Sequence, residues 1–133
     1  MSAAKCNQNL KNLTAALEKL HEALQESESN KLAVDGTIQR FEFVFELFWK
    51  TLKLLLAEEG VQTDTPKAAL RQAFQIKWLK DETAWLQMLK DRNETSHVYD
   101  EAAARKIYDR IKHYYAELET THTYLQKRFG KSS

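Results

Sequence analysis

With 133 residues, of which only three are glycine and one is proline, the chain is long enough to bury one core shared by several helices and too short for two independent ones. Charged residues make up 29% and balance to a formal +1, which excludes a bulk electrostatic drive toward nucleic acid or an anionic membrane; any RNA contact has to come from a local cluster. Cys6 is the only cysteine, so an internal disulfide is excluded, and the polar residues behind Met1 give no apolar signal segment, so a reducing cytoplasm is the expected compartment.

The first helix is expected from about Lys5 to about Glu28, because Leu10, Leu13, Leu17, Leu20 and Leu24 recur at alternating steps of three and four. Cys6 precedes this seam, where fraying is expected. Ser27, Glu28, Ser29 and Asn30 end the pattern. A second helix then extends to about Glu59, with Asp35 as its N-cap and Gly60 as its stop. Its Phe41, Val44, Phe45, Leu47, Phe48, Trp49, Leu52, Leu55 and Leu56 cover most of the circumference, leaving the stripe Gln39, Glu42, Glu46, Lys50 and Lys53 to solvent. Those charges exclude a membrane span. So wide an apolar surface belongs either to the central helix of a bundle or to a subunit interface, and for so small a chain a homodimer is the favoured expectation.

Thr65 followed by Pro66 is a cap with proline at the first helical position, and it opens a short third helix to about Ile76. Asp81 and the run from Ala84 to Leu89 predict a fourth. Trp85, Leu89 and Arg92 are separated by four and three residues, which sets Arg92 at the edge of that helix's apolar face. A guanidinium there needs an anionic or polar partner: Asp91, Asp100 or a bound phosphate. A fifth helix from about Glu101 to about Phe129, carried by Ile107, Ile111, Tyr114, Leu118, Leu125 and Phe129, closes the bundle. The expected fold is an all-α, up-and-down bundle of about five helices, four long and one short, in a single domain over residues 1–133.

The chemistry concentrates in Arg92-Asn93-Glu94-Thr95-Ser96-His97-Val98-Tyr99, where the fourth helix gives way to the fifth. Cleavage of RNA by its own 2′-hydroxyl needs a base, an acid and positive charge around the phosphorane. Arg92 supplies the charge in a bidentate fork, His97 exchanges protons near neutral pH, and Asn93 can orient the phosphate or His97. One imidazole cannot be acid and base in the same step, so such a site requires two copies of the motif across a two-fold axis. The alternative is structural: Arg92 pairs with acids and caps the fourth helix, His97 is a loop histidine, and Tyr99 packs at the start of the fifth helix.

Other residues carry less. His21, His113 and His122 lack carboxylate or cysteine partners at ligand spacing and are expected as partly exposed surface groups, whereas Trp49, Trp78 and Trp85 are expected in the core. Glu42 and Glu46 stand four apart, but Lys50 follows at the next such position, so a solvated stripe is expected there instead of half a metal site.

The octapeptide resembles the R-N-x-x-x-H-x-Y signature of HEPN-domain proteins of the HepT type, the small partners of minimal nucleotidyltransferases. Phe45-Glu46-x-x-Trp49-Lys50-Thr51-Leu52-Lys53, Thr65-Pro66 with Ala73-Phe74, and Trp85-x-x-Met88-Leu89-x-x-Arg92-Asn93 follow the order of that family's segments, and the similarity spans about Asp35 to Leu118. It implies a helical bundle like the helical domain of antibiotic nucleotidyltransferases, a homodimer, and a nucleotidyltransferase encoded nearby. Two functions attach to such proteins. One is a metal-independent ribonuclease toxin acting on RNA through the positions of Arg92 and His97, silenced when the partner transfers AMP to the tyrosine at the position of Tyr99. The other is a noncatalytic, substrate-binding subunit of a two-component nucleotidyltransferase. Because every motif position is filled here, the toxin is the favoured expectation. No metal or cofactor is expected on this chain itself; ATP and magnesium are expected for the partner transferase.

Overall fold

The computed structural model of the chain describes residues 2–26, 29–95 and 100–130. These described residues form an all-α bundle of five helices: α1 (Ser2–Leu24), α2 (Lys31–Glu58), α3 (Pro66–Gln75), α4 (Glu82–Glu94) and α5 (Glu101–Phe129). The length is carried by α1, α2 and α5, of 23, 28 and 29 residues, while α3 and α4 are 10 and 13.

The helix starts follow side-chain capping of otherwise unpaired backbone N–H groups. Thr65 Oγ1 accepts from the Ala68 N–H at 3.1 Å, Asp81 Oδ1 from Ala84 at 3.1 Å, and Asp100 Oδ1 from Ala103 at 2.7 Å. The α2 cap is different from the one expected. Asn30, not Asp35, accepts the Leu32 N–H at 2.9 Å, so the helix already starts at Lys31 and Asp35 stands exposed within it. At the other end Gly60 does stop α2. Its φ of +84 lets the Gly60 and Val61 N–H groups return to the Ala57 and Leu56 carbonyls at 3.0 and 2.9 Å. Lys77 makes the same turn after α3 at φ 69, with the Trp78 N–H on the Ala73 carbonyl at 2.9 Å.

The N-terminal turn is not frayed as expected. α1 begins at Ser2, and Cys6 is buried one turn before Leu10, extending the seam of Leu10, Leu13, Leu17 and Leu20. That burial, with Glu58 nearby, pushes the Cys6 thiol above its ordinary pKa, which lowers its thiolate content and reactivity. α2 is the central helix and packs against each of the other four. Phe41, Val44, Phe45, Phe48, Leu52, Leu55 and Leu56 are all buried, so the apolar circumference that points to a second subunit is mostly spent inside the chain. Leu32 and Phe43 are the large apolar side chains that α2 leaves exposed. Trp49, Trp78 and Trp85 lie in the core, as expected. Among the described residues no helix is long and apolar enough to cross a membrane.

The three histidines differ in depth. His21, whose ring lies tilted against Tyr115 at 5.4 Å, and His113 are exposed, but His122 is half-buried between α5 and α1. The Thr14 hydroxyl lies 2.9 Å from the Leu10 carbonyl and 2.7 Å from His122 Nε2; its one proton serves a single acceptor at a time, and the ring tautomer sets the direction of the second contact. Burial lowers the His122 pKa below 6.5, against a smaller opposing pull from Glu119. The unfolded chain therefore takes up this proton first as pH falls. The stability involved is complete above pH 6.5 and is lost as pH drops from there through the folded value. Urea midpoints are expected to fall between about pH 7 and pH 5, more steeply in the native chain than in His122→Gln. Equal slopes would clear the ring of any part in the acid response.

Candidate functional site

The last turn of α4 divides its side chains between two neighbouring helices. Consecutive helical residues are 100° apart, so Asp91 and Arg92 cannot share a direction. Trp85, Met88 and Asp91 form the buried face. Trp85 fixes the helix by packing edge-on against Phe48 of α2 at 4.8 Å and donating its Nε1–H to Glu117 Oε2 of α5 at 3.1 Å. Asp91 then turns toward α5. Its Oδ2 accepts from Arg110 Nε at 2.8 Å and from the Tyr114 hydroxyl at 2.6 Å, and its Oδ1 accepts from Arg110 Nη2 at 2.9 Å and Gln87 Nε2 at 3.2 Å. Burial first, and then the Asp91 carboxylate, push the Tyr114 phenol far above its usual pKa, so it remains a hydrogen-bond donor across the physiological range.

Arg92 points the other way, toward α2. Its Nη2 donates to Glu46 Oε1, and its Nη1 donates to Asn93 Oδ1 at 3.1 Å. The second Glu46 oxygen accepts from Trp49 Nε1 at 3.0 Å and lies 3.7 Å from Lys50 Nζ. One turn earlier on α2, Glu42 Oε2 accepts from the hydroxyl of Thr95, which also reaches the Arg92 carbonyl at 2.7 Å; its one proton serves a single acceptor at a time. Glu42 and Glu46 are thus not a solvated stripe, because they form the edge of α2 against which α4 ends. Nor do Asp91 and Asp100 supply the Arg92 partner, since Asp91 is committed to α5 and Asp100 caps it.

Arg92 and Asn93 are therefore brought together, with Asn93 exposed and Arg92 and Glu46 at 30% and 31% side-chain exposure. His97 and Tyr99 lie outside the described residues. Thr95 and Asp100, on either side of their connection, both line a cavity of about 370 Å³ shared with Lys31, Asp35, Ile38, Glu101 and Ala104. Across its rim Lys31 Nζ meets Glu101 Oε1 at 2.9 Å. Among the described residues no group of three or more His, Cys, Asp or Glu is arranged to hold a metal ion. The site offers a cationic fork with N–H capacity beyond the two bonds it makes to described residues, on a helix end fixed from both sides.

Fold and site define a small helical bundle whose polar chemistry gathers at one helix end. The chain belongs to the family described as nucleotidyltransferase substrate binding protein like, whose model matches residues 8–127. It is 36% identical over 83 residues to a Haemophilus influenzae protein named probable ribonuclease HepT; the match takes in 59% of this chain and 57% of that relative. This chain thus spans little more than half of that relative's length. A Thermus thermophilus crystal structure superposes with a TM-score of 0.81 at 35% identity, covering 86% of this chain and 98% of the other. A second structure, from Haemophilus influenzae and described as revealing the fold of a substrate binding domain of a nucleotidyltransferase, gives 0.77 at 28% identity, with 88% and 98% covered.

Proposed function

We propose that the chain is a metal-independent endoribonuclease, the toxin of a two-gene system whose nucleotidyltransferase partner silences it. The observation that carries this reading is the state of Arg92: half-buried, forked toward Glu46 and Asn93, and set at the mouth of the connection that holds His97 and Tyr99. The relative named as a ribonuclease supports it. In the reaction a 2′-oxygen attacks its neighbouring phosphorus, and the O2′–P bond forms as the P–O5′ bond breaks. One His97 takes the 2′-hydroxyl proton and the second, from the other copy in a homodimer, gives a proton to O5′. A cyclic phosphate and a 5′-hydroxyl leave. Arg92 stabilises the phosphorane charge and Asn93 positions the phosphate. Silencing joins the Tyr99 oxygen to AMP from ATP as pyrophosphate leaves, with magnesium on the transferase. The added phosphate then occupies the ground the RNA phosphate needs.

A second reading has its own support. Arg92 already has an anionic partner in Glu46, and the family's description is of substrate binding, so the chain can instead complete a transferase site without cutting RNA. One experiment separates the two. Unmodified protein in chelator is expected to cut single-stranded RNA, and preincubation with the cognate transferase, ATP and magnesium to abolish cutting in the native chain but not in Tyr99→Phe. RNA left intact by unmodified protein, together with tighter nucleotide binding by the transferase, decides for the second reading.

A further inference from the structure

On the side of α4 away from Asp91, a groove of about 450 Å³ runs between α3 and α4, lined by Lys67, Arg71, Leu86, Leu89, Lys90, Asn93 and Glu94. We propose that it is the track of the RNA strand that leads to Arg92, with Lys67, Arg71 and Lys90 holding backbone phosphates. This rests on the ribonuclease reading and names the substrate path to that site.

Three features point to a nucleic-acid strand. Lys67, Arg71 and Lys90 are exposed, and among the described residues none of them has an ion-pair partner, although the chain as a whole carries only +1. Three unneutralised cations against the single Glu94 make this a local positive surface on a nearly neutral molecule. Their arrangement is also directional. Lys67 and Arg71 are one turn apart on α3, about 6 Å along the axis, which is on the scale of the phosphate repeat in an extended strand. Phe74 continues that stripe and is exposed, while the half-buried Leu86 and Leu89 give the groove an apolar floor; cations with an apolar or aromatic surface between them are what an unpaired strand needs for its phosphates and bases. The groove also ends at the candidate chemistry, because Asn93 lines it and accepts Arg92 Nη1–H at 3.1 Å. An acidic protein surface would use the same cations but has no reason to end at Asn93.

The test uses the full chain and a fluorescent single-stranded RNA whose 2′-oxygens are methylated, so that it binds without being cut. The triple variant Lys67→Gln, Arg71→Gln, Lys90→Gln changes exposed side chains only, and its circular dichroism and melting should match the native chain. Its affinity is expected to fall by about tenfold or more at low salt, and its plot of log K against log salt to be shallower by about 2, at about 0.7 for each phosphate no longer neutralised. With cleavable RNA its KM should rise while kcat holds. If the native chain cuts RNA and the variant matches it in KM and salt slope, the track is wrong while the ribonuclease reading stands. If the native chain neither binds nor cuts RNA, both fall. A variant that keeps RNA affinity but no longer binds the transferase would make the groove a protein interface and overturn the proposal.

Discussion

Replacing Asp91 by alanine is expected to destabilise the fold by about 3 kcal/mol, the low end of the range for breaking a buried charge pair. The carboxylate is 0% exposed and is the only described acceptor for the Tyr114 hydroxyl and the Arg110 guanidinium, with Gln87 as a further donor. Alanine leaves the Tyr114 hydroxyl buried without an acceptor and opens a void beside it. Arg110 keeps 40% exposure and can recover solvation, which holds the cost below the upper end of about 5 kcal/mol. A domain of this size has about 5–15 kcal/mol in total, so urea unfolding should show a large shift in midpoint at similar slope. Arg110→Ala leaves the opposite orphan, a buried carboxylate retaining only Tyr114 and Gln87. The double variant should therefore lose distinctly less than the sum of the singles. A loss within about 1 kcal/mol for Asp91→Ala would place the network among ordinary surface pairs.

That network also shows where the sequence stops being informative. The helices are legible because their apolar spacings are local: the leucines of α1, the Thr65-Pro66 start and the Gly60 stop each act within a turn or two of chain. Asn30 is the harder cap to see, since Asp35 is an equally good acceptor and nothing local decides which N–H groups are left unpaired. Cys6 lies at the right spacing from Leu10 to be buried, but its polar neighbours Asn7, Gln8 and Asn9 disguise the seam. The site divides in the same way. Spacing alone puts Arg92 at the edge of a buried face, and there the structure has it. Its partner Glu46 is 46 residues away, and only the packing of α4 on α2 reveals it. The legible sign is a pair of acids on a helix with little face left for water. The groove between α3 and α4 is illegible for the opposite reason: Lys67, Arg71 and Lys90 look like ordinary solvated charges until two helices set them around one floor.

Arg92→Ala is expected to lower RNA cleavage by about 10²–10³-fold, the usual consequence of removing a preorganised donor from a site where negative charge develops. The same change should scarcely affect folding. The Arg92–Glu46 pair is about one-third exposed on both sides, and pairs of that kind contribute up to about 1 kcal/mol, equivalent to a few degrees of melting temperature. Chemistry and stability are thereby separable at this residue, as they are not at Asp91, whose loss unfastens the helix that carries Arg92. Arg92→Lys sharpens the test. Lysine keeps the charge but loses the planar fork, so a bidentate phosphate contact predicts only partial recovery of kcat, whereas a purely electrostatic role predicts nearly full recovery. Glu46→Gln works from the other direction by removing the anion that competes with RNA for the same guanidinium while keeping an oxygen to orient it. Its KM for RNA should fall with kcat unchanged. Measured in chelator on variants with native melting curves, full activity in Arg92→Ala would reduce the arginine to a helix-end contact with Glu46 and place the cleavage chemistry on other residues.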